Sequence, residues 1–254
     1  MKRVLWCGGS HLGNTKNSAI RRLHEGLLRD YSAEFYITAA PANRNWSARG
    51  GRYGVEGSTV FGNRTMPTER RDLSLYAAII FVGQWIQPWF AFRDGLPLSE
   101  ALLRLSLEGL PLHPWITRQG QRFRWFNEPL ALFPQLTEAP VILIRDPEAR
   151  MEHYRLVPTA VKRRFQTHLE AFCQEAGILL CPQASDTLDR DLVTMPRYLR
   201  NRSGDDCVHM SDAYWQRLFV NQLEPLLRVQ LQQQKASMRA ANLATARVMS
   251  SGQS

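Results

Sequence analysis

The sequence YAAIIFVG, residues 76–83, decides the fold: it carries no charged side chain and ends in a glycine. A short apolar run bounded by a turn residue predicts a strand that is buried on both faces. Further apolar runs lie within residues 2–7, 140–145 and 177–182. These runs predict a parallel sheet, because strands of this kind are covered by helices on both sides.

Helical patterns lie between the predicted strands. Residues 14–31 and 159–176 repeat apolar side chains every three or four positions, and Ser211 is placed to cap a last helix. The inward face of that last helix is expected to be formed by Tyr214, Leu218, Phe219 and Leu223. The alternation of strands and helices predicts an α/β fold of three layers, α/β/α, around a parallel sheet.

The chain of 254 residues is expected to form one α/β domain over residues 1–225, followed by a helical extension and a frayed or disordered tail over 226–254. Residues 84–136 are rich in tryptophan, phenylalanine and arginine and form an insertion between two core strands. They are expected either to cap the site and bind substrate or to form the core of a small helical subdomain. A short strand is expected at 34–38, and a loop from 39 to 68 that contains one strand at 58–61.

Four cysteines occur without metal-binding spacing, which predicts neither a metal site nor disulfides. Cys7 and Cys181 end apolar runs and are expected to be buried. The amino-terminal apolar run is too short for a signal peptide, and no apolar run is long enough to cross a membrane, so a cytoplasmic protein is expected. His24, His153 and His168 are expected to be solvated.

The net charge of +9 favours an anionic small molecule or glycan as partner. No sequence motif for nucleic-acid binding is present, so nucleic acid is not expected as a partner. The sequence gives no indication of the oligomeric state.

Two segments at opposite ends of the chain carry the candidate chemistry. Gly8-Gly9-Ser10-His11-Leu12-Gly13 follows the first strand, and Asp206-Cys207-Val208-His209 precedes the last helix. A serine needs an imidazole to accept its proton, and the imidazole needs a carboxylate to orient it. Because both segments follow strand ends of a parallel sheet, we expect Ser10 as nucleophile, His209 as base and Asp206 as the orienting carboxylate. Asp205 is the alternative carboxylate, and Ser10 as a mere helix cap is the alternative for the first segment.

This arrangement resembles the SGNH/GDSL hydrolase family, in which a serine turn follows the first strand and an Asp-x-x-His pair precedes the last helix. Residues 204–215 are similar to the final segment of that family, and Gly9 stands where the family has aspartate. The resemblance implies a flavodoxin-like SGNH hydrolase fold. It also implies a Ser-His-Asp triad that acts without a cofactor on an O-acyl ester, for instance of a carbohydrate, as a hydrolase or an O-acyltransferase.

The same resemblance implies an oxyanion hole made by the backbone N–H groups of Ser10 and Gly83 and of one further glycine. Gly51 and Gly54 are the preferred choices for that glycine. Trp85 departs from the family pattern, because an asparagine that helps to form the oxyanion hole normally stands there. Gln84 or the Trp85 indole is a substitute donor, and His11 is expected to line the site.

Other interpretations stay open. The departure at Trp85 suggests a catalytically weak or inactive protein of the same fold that binds a glycan or nucleotide. Gly8-x-x-x-x-Gly13-Asn14-Thr15 is one residue away from a phosphate-binding loop, with Asn14 in place of the lysine that supplies charge and Lys16 two positions late. Cys207 is a small packing residue or, alternatively, a nucleophile.

Overall fold

The computed structural model describes residues 2–8, 12, 18–37, 46–47, 53–56, 59–61, 70–83, 115–116, 122–123, 127–150, 152–200 and 209–251. Its strands in chain order are β1 (Lys2–Gly8), β2 (Tyr31–Ile37), β3 (Trp46–Ser47), β4 (Tyr53–Glu56), β5 (Thr59–Phe61), β6 (Arg70–Asp72), β7 (Tyr76–Val82), β8 (Trp115–Ile116), β9 (Arg122–Phe123), β10 (Val141–Ile144) and β11 (Leu179–Cys181). Its α-helices are α1 (Ser18–Leu27), α2 (Asn127–Leu136), α3 (Glu152–Arg155), α4 (Thr159–Glu175), α5 (Asp212–Leu218) and α6 (Glu224–Ser251). A short π-helix, Phe219–Leu223, joins the last two.

Within the described residues, a five-stranded sheet has the order β11-β10-β7-β1-β2, and every neighbouring pair in it is parallel. Counted along the sheet, this is the order 2-1-3-4-5 of flavodoxin-like folds. β7 lies at the centre, and all seven of its residues are buried. The predicted parallel α/β fold is therefore confirmed, and YAAIIFVG forms its central strand.

The two faces of the sheet bury separate apolar clusters. Along β1, Leu5 and Cys7 belong to one cluster, whereas Val4 and Trp6 belong to the other. Successive side chains of a strand point to opposite faces, which explains this division. Helices α2 and α4 contribute to the first cluster, and helices α1, α5 and α6 contribute to the second. Burial of each large apolar side chain stabilises the fold by about 1.5–3 kcal/mol.

Most boundaries of the predicted elements differ little from those observed, but the helix predicted over 14–31 ends at Leu27, and Tyr31 begins β2. The strands predicted at 140–145 and 177–182 span Val141–Ile144 and Leu179–Cys181, and the helix predicted at 159–176 spans Thr159–Glu175. The second strand begins three residues earlier than predicted, because Tyr31 pairs with Lys2 at the start of β1. Tyr214, Leu218, Phe219 and Leu223 are buried, as predicted for the last helix.

The prediction of a loop with one strand over residues 39–68 is wrong in part. It contains β3, β4 and β5, which form a second sheet with β6 in the order β3-β4-β5-β6. β4 and β5 pair antiparallel, with Glu56 opposite Thr59. Gly57-Ser58 joins them in sequence, and this dipeptide is a hairpin signal that predicts the pairing.

The prediction that His24 is solvated is also wrong. Its side chain is only 2% exposed. The Trp6 indole Nε1–H donates to His24 Nδ1 at 3.1 Å, and His24 Nε2 bonds to the backbone oxygen of Tyr31 at 2.9 Å. These bonds require the proton on Nε2 and the neutral imidazole, and burial lowers the pKa of His24.

Within the described residues, no helix combines the length and the hydrophobicity that a membrane span requires.

Candidate active site

The carboxyl ends of β1 and β7 lie side by side. Gly8 and Val82 are partners in the register of the two strands. A Cβ atom added to Gly8 would lie 2.2 Å from the Val82 carbonyl oxygen and 2.9 Å from Leu12 Cδ1. Only glycine therefore allows the two strand ends to approach each other this closely. Ser10, the predicted nucleophile, follows Gly8 by two residues.

Gly83 turns the chain away from the end of β7. Its φ of 65° lies in the left-handed region, where an L side chain costs about 1–2 kcal/mol. Gly83 is buried. It thus stands immediately beyond the strand that neighbours β1, where we expect the second oxyanion donor. Its hydrogen bond to an oxyanion stays a prediction.

His209 is held by a short antiparallel ladder. The Arg200 N–H donates to the His209 carbonyl oxygen at 2.9 Å, and the Ser211 N–H donates to the Tyr198 carbonyl oxygen at 2.8 Å. Between them, Leu199 and Met210 form an isolated bridge. The ladder fixes the backbone of the predicted base, and the side chain of His209 is partly exposed.

Helix α5 anchors this ladder at the carboxyl edge of the sheet. Tyr214 is fully buried, and burial followed by the proximity of Cys181 raises its pKa well above the ordinary value. Arg217 of α5 pairs with Asp186, which follows β11, at 3.2 Å. Tyr214 also belongs to the same apolar cluster as Ile144 and Cys181, the last residues of β10 and β11. Helix α5, which begins three residues after His209, is therefore packed on the side where these strands end.

Ser211 occupies the cap position of α5 as predicted, but the expected cap hydrogen bond is absent. Its side chain makes no bond to the first turn of the helix, and its hydroxyl oxygen is buried without a hydrogen-bond partner. The backbone explains this difference, because the Ser211 carbonyl oxygen already accepts the N–H groups of Tyr214 and Trp215.

A buried polar network begins where β10 ends. The Arg145 N–H donates to the Cys181 carbonyl oxygen at 2.9 Å, and its guanidinium pairs with Glu148. The side chains of this pair are only 3% and 2% exposed. Gln166 Oε1 accepts from Arg145 at 3.1 Å, and the Tyr154 hydroxyl donates to Glu148 at 2.6 Å. Both carboxylate oxygens of Glu148 are thus bonded, which compensates for the burial of its charge.

The main chain of Glu148 extends the network to residues 183–194. Gln183 Oε1 accepts the Glu148 N–H at 2.8 Å, and Gln183 Nε2 donates to the hydroxyls of Thr187 and Thr194 at 2.9 and 3.1 Å. Thr194 donates its N–H and its hydroxyl to the Glu148 carbonyl oxygen at 3.1 and 2.7 Å. These bonds fasten the segment that leads directly to the ladder of His209.

Sequence reasoning missed this network. The signal available was position, because Arg145 and Gln183 come within two residues of the ends of two predicted strands. Polar side chains at the carboxyl ends of parallel strands are common in binding sites.

Several predicted site residues lie outside the described part of the chain: Ser10, His11, Gly51, Gln84, Trp85, Asp205, Asp206 and Cys207. Gly54 lies within β4, where it pairs with Ser47 and Phe61. Its contribution to an oxyanion hole stays a prediction. The structure thus locates Gly83 and His209 at one edge of the sheet, and the triad itself stays a prediction.

The described cysteines are not candidates for nucleophiles. Cys7, Cys173 and Cys181 are buried and free of disulfides. Burial raises the pKa of Cys181 to about 12 and raises that of Cys7 further. These thiols stay protonated at neutral pH and act as packing residues. Among the described residues, no group of three or more His, Cys, Asp or Glu side chains is arranged to hold a metal ion.

A groove of about 700 Å³ opens at the opposite edge of the sheet, between residues 74–77 and 134–139. Tyr76 begins β7 there, so this groove is separated from the predicted site by the length of the central strand. None of the predicted site residues lines it. The predicted site is therefore located at the carboxyl ends of the strands, and this groove is not part of it.

Comparison with known proteins gives structural neighbours only. Neither the family models nor the curated proteins provide a match in sequence. The chain is similar to an inferred acylhydrolase of Bacteroides fragilis, with 14% identity, a TM-score of 0.46 and coverage of 91% of this chain and 88% of the neighbour. It is also similar to a GDSL-like lipase of Bacteroides thetaiotaomicron, with 12% identity, a TM-score of 0.43 and coverage of 91% and 88%.

A third neighbour is an extracellular lipase of Streptomyces rimosus, with 8% identity, a TM-score of 0.47 and coverage of 87% of this chain and 97% of the lipase. Likeness at this level concerns architecture alone, because one fold can carry many different chemistries.

Proposed function

We propose that the chain is a serine ester hydrolase of the SGNH/GDSL type, which transfers the acyl group of an O-acyl ester to water or to an acceptor alcohol. One observation carries this proposal. The ends of β1 and β7, which precede Ser10 and Gly83, are partners in register, and the helix that follows His209 pairs with the segment that follows β11. A parallel sheet assembles its sites at this edge.

The proposed reaction has two halves. The Ser10 hydroxyl oxygen forms a bond to the acyl carbon while His209 accepts the serine proton and Asp206 orients the imidazole. The N–H groups of Ser10 and Gly83, with Gly51 or Gly54 as a third donor, stabilise the oxyanion. The bond to the leaving alcohol then breaks, and the alcohol takes the proton from His209. Water or an acceptor alcohol repeats these steps on the acyl-enzyme, and no cofactor takes part.

A carbohydrate ester is the substrate class that we favour. Aromatic rings stack on sugar faces, and arginines bind acidic groups. The insertion at 84–136 is rich in both residue types, and the chain carries a net charge of +9. His11, Gln84 and Trp85 follow the same strand ends in sequence and are proposed to contact the substrate.

A ligand-binding protein of the same fold is the second candidate. It is favoured by Trp85, which replaces the oxyanion-hole asparagine of the family. Loss of one oxyanion donor lowers the rate by about 10²–10³. Such a protein would bind a glycan or nucleotide and would raise its melting temperature with ligand, without turnover.

Labelling with a fluorophosphonate probe and hydrolysis of a short-chain aryl ester test the proposal. We expect Ser10→Ala to abolish labelling and to lower the hydrolysis rate at least about a thousandfold, because the nucleophile is lost. We expect His209→Gln to have a similar effect, since the serine then lacks its base.

Ser211→Ala is the matched control. Ser211 lies two residues from His209, but its hydroxyl is no part of the proposed reaction, so this variant should keep the labelling rate of the unchanged protein. Equal labelling of Ser10→Ala and the unchanged protein would exclude Ser10 as nucleophile. A thermal shift with ligand in the absence of labelling and hydrolysis would favour the binding protein.

A further inference from the structure

Arg200 lies opposite His209 on the antiparallel ladder. Leu199 and Met210 form an isolated bridge, and Arg200 and His209 are the residues that flank it on one side, each at a bend of the chain. The 2.9 Å bond from the Arg200 N–H to the His209 carbonyl oxygen supports this pairing. Residues directly opposite each other on an antiparallel pair have Cβ atoms about 4.5–5.5 Å apart and share one face. The side chains of Arg200 and His209 therefore start from the same face of the ladder.

This face points away from the apolar core. Leu199 and Met210 are 3% and 5% exposed and belong to the cluster on the second face of the sheet. Because neighbouring side chains along a strand alternate, the side chains of Arg200 and His209 leave the ladder on the other side. Arg200 is exposed and His209 is partly exposed, as this alternation requires.

Several arginines in this half of the chain pair with carboxylates. Arg150 pairs with Asp189 at 2.7 Å, and Arg217 pairs with Asp186 at 3.2 Å. Within the described ranges, no carboxylate lies within ion-pair distance of Arg200. Among the described residues its guanidinium therefore has no charged partner, and a planar guanidinium binds an acidic group with two parallel hydrogen bonds.

The position beside His209 determines which part of a substrate this cation meets. In the proposed reaction, His209 gives its proton to the leaving alcohol, so the groups around His209 line the alcohol side of the ester. We propose that Arg200 binds a carboxylate or phosphate carried by the alcohol part of the substrate, and that the protein acts on O-acyl esters of acidic alcohols. This inference rests on the proposed function and assigns it a substrate class.

Matched esters test this assignment. The acetyl esters of para-hydroxybenzoate, of its methyl ester and of para-hydroxyphenyl phosphate carry a carboxylate, no charge and a phosphate on the alcohol part, respectively. A hemisuccinate aryl ester carries its charge on the acyl side instead. We expect the unchanged protein to prefer an ester with an acidic alcohol, and the carboxylate and phosphate arms show which acid it binds.

In Arg200→Gln, we expect the ratio of kcat/KM for the acidic ester to kcat/KM for the neutral ester to fall about tenfold, mainly through the KM of the acidic ester. A charged hydrogen bond at an exposed site is worth about one factor of ten. Hydrolysis of the neutral ester and of the hemisuccinate should change by less than about twofold. Arg200→Lys should recover part of the preference, since it keeps the charge without the planar fork.

Arg217→Gln is the control, because it removes an exposed arginine from the helix that follows His209. It should keep the preference of the unchanged protein. An unaltered preference in Arg200→Gln overturns the role of Arg200 while the hydrolase function stands. Failure of the unchanged protein to hydrolyse any of these esters or to accept the probe overturns the proposed function, and the substrate assignment falls with it.

Discussion

Ionic clusters lie on both the carboxyl side and the amino side of the central sheet, and they differ in how deeply their charges are buried. At the carboxyl edge, Arg145 and Glu148 pair with side chains that are 3% and 2% exposed, within a network of further bonds. On the amino side, Glu34 accepts hydrogen bonds from Arg71 and, at 2.8 Å, from Tyr76, and it forms an ion pair with Arg3 at 3.0 Å, with its side chain 25% exposed. Water screens the second cluster and not the first.

This difference indicates what each edge does. A buried ion pair adds little to stability compared with apolar packing, because removing two charges from water is costly. Its presence at the carboxyl edge fits a need to fix loops in one arrangement, and the loops fixed here lead to His209. The amino side has no such requirement, so partly exposed ion pairs suffice there.

Removal of one carboxylate at each edge is expected to give the largest effect. Glu148→Ala leaves Arg145 buried without its partner, and we expect a loss of about 3–5 kcal/mol in the free energy of unfolding. Glu34→Ala should cost less, about 1–2 kcal/mol, because Glu34 is partly exposed and Arg3 is half exposed, so Arg3 needs no replacement partner.

Urea denaturation of both variants measures this contrast. Equal losses for the two variants would show that the edges do not differ in the way described. If Glu148→Ala is too unstable to purify, Tyr154→Phe removes one bond to the buried Glu148 carboxylate and should cost about 1.5–3 kcal/mol.

Two glycine substitutions test how closely the ends of β1 and β7 approach each other. Gly8→Ala places a Cβ 2.2 Å from the Val82 carbonyl oxygen, so the ends of β1 and β7 must move apart. We expect a loss of about 1–3 kcal/mol in unfolding free energy and slower probe labelling, since Ser10 and Gly83 follow these strand ends.

Gly26→Ala in α1 is the matched control, because its added Cβ meets no atom within 4 Å. It should stabilise the protein by about 0.5–1 kcal/mol through its higher helix propensity. Destabilisation by both substitutions to the same extent would contradict the close approach of the two strand ends.

A smaller effect is expected from the protonation of His24, which lies in α1 and bonds to Tyr31 at the start of β2. Burial lowers the pKa of His24 in the folded protein below the value of about 6.5 in the unfolded chain. Below that pH the unfolded chain binds the proton more readily, so stability is complete above about pH 6.5 and falls as the pH drops further. The slope contributed by His24 is at most about 1.4 kcal/mol per pH unit.

Urea midpoints between pH 7.5 and 5.5 measure this slope, with His24→Gln as the comparison. The variant should lack the part of the slope that His24 supplies, even if it is less stable at every pH. Identical slopes for the two proteins would mean that His24 does not stay neutral in the folded state.

The sequence was sufficient for the elements of the central sheet and for the helix at 159–175. Buried parallel strands need uninterrupted apolar side chains, and YAAIIFVG and PVILI have them. The short strands β3 to β6 were largely missed, because two to four residues give no periodicity and only the Gly57-Ser58 signal was available.

The candidate site was predictable only in part. Glycine-flanked Ser10 and the Asp206-Cys207-Val208-His209 segment are recognisable in sequence, but the buried network is not. Gln183 contacts Glu148 across 35 residues and Thr194 reaches it across 46. His24 was misjudged for the same reason, since its neutral state depends on Trp6, 18 residues away.

The sequence by itself determined the alternation of strands and helices and the residue types of the proposed reaction, because apolar periodicity and glycine turns are local properties. Only the tertiary structure decided that β1 and β7 end together, that Arg145 and Glu148 are buried, and that Arg200 stands opposite His209. Register and burial arise from contacts between distant segments, and these contacts depend on the packing of the whole sheet.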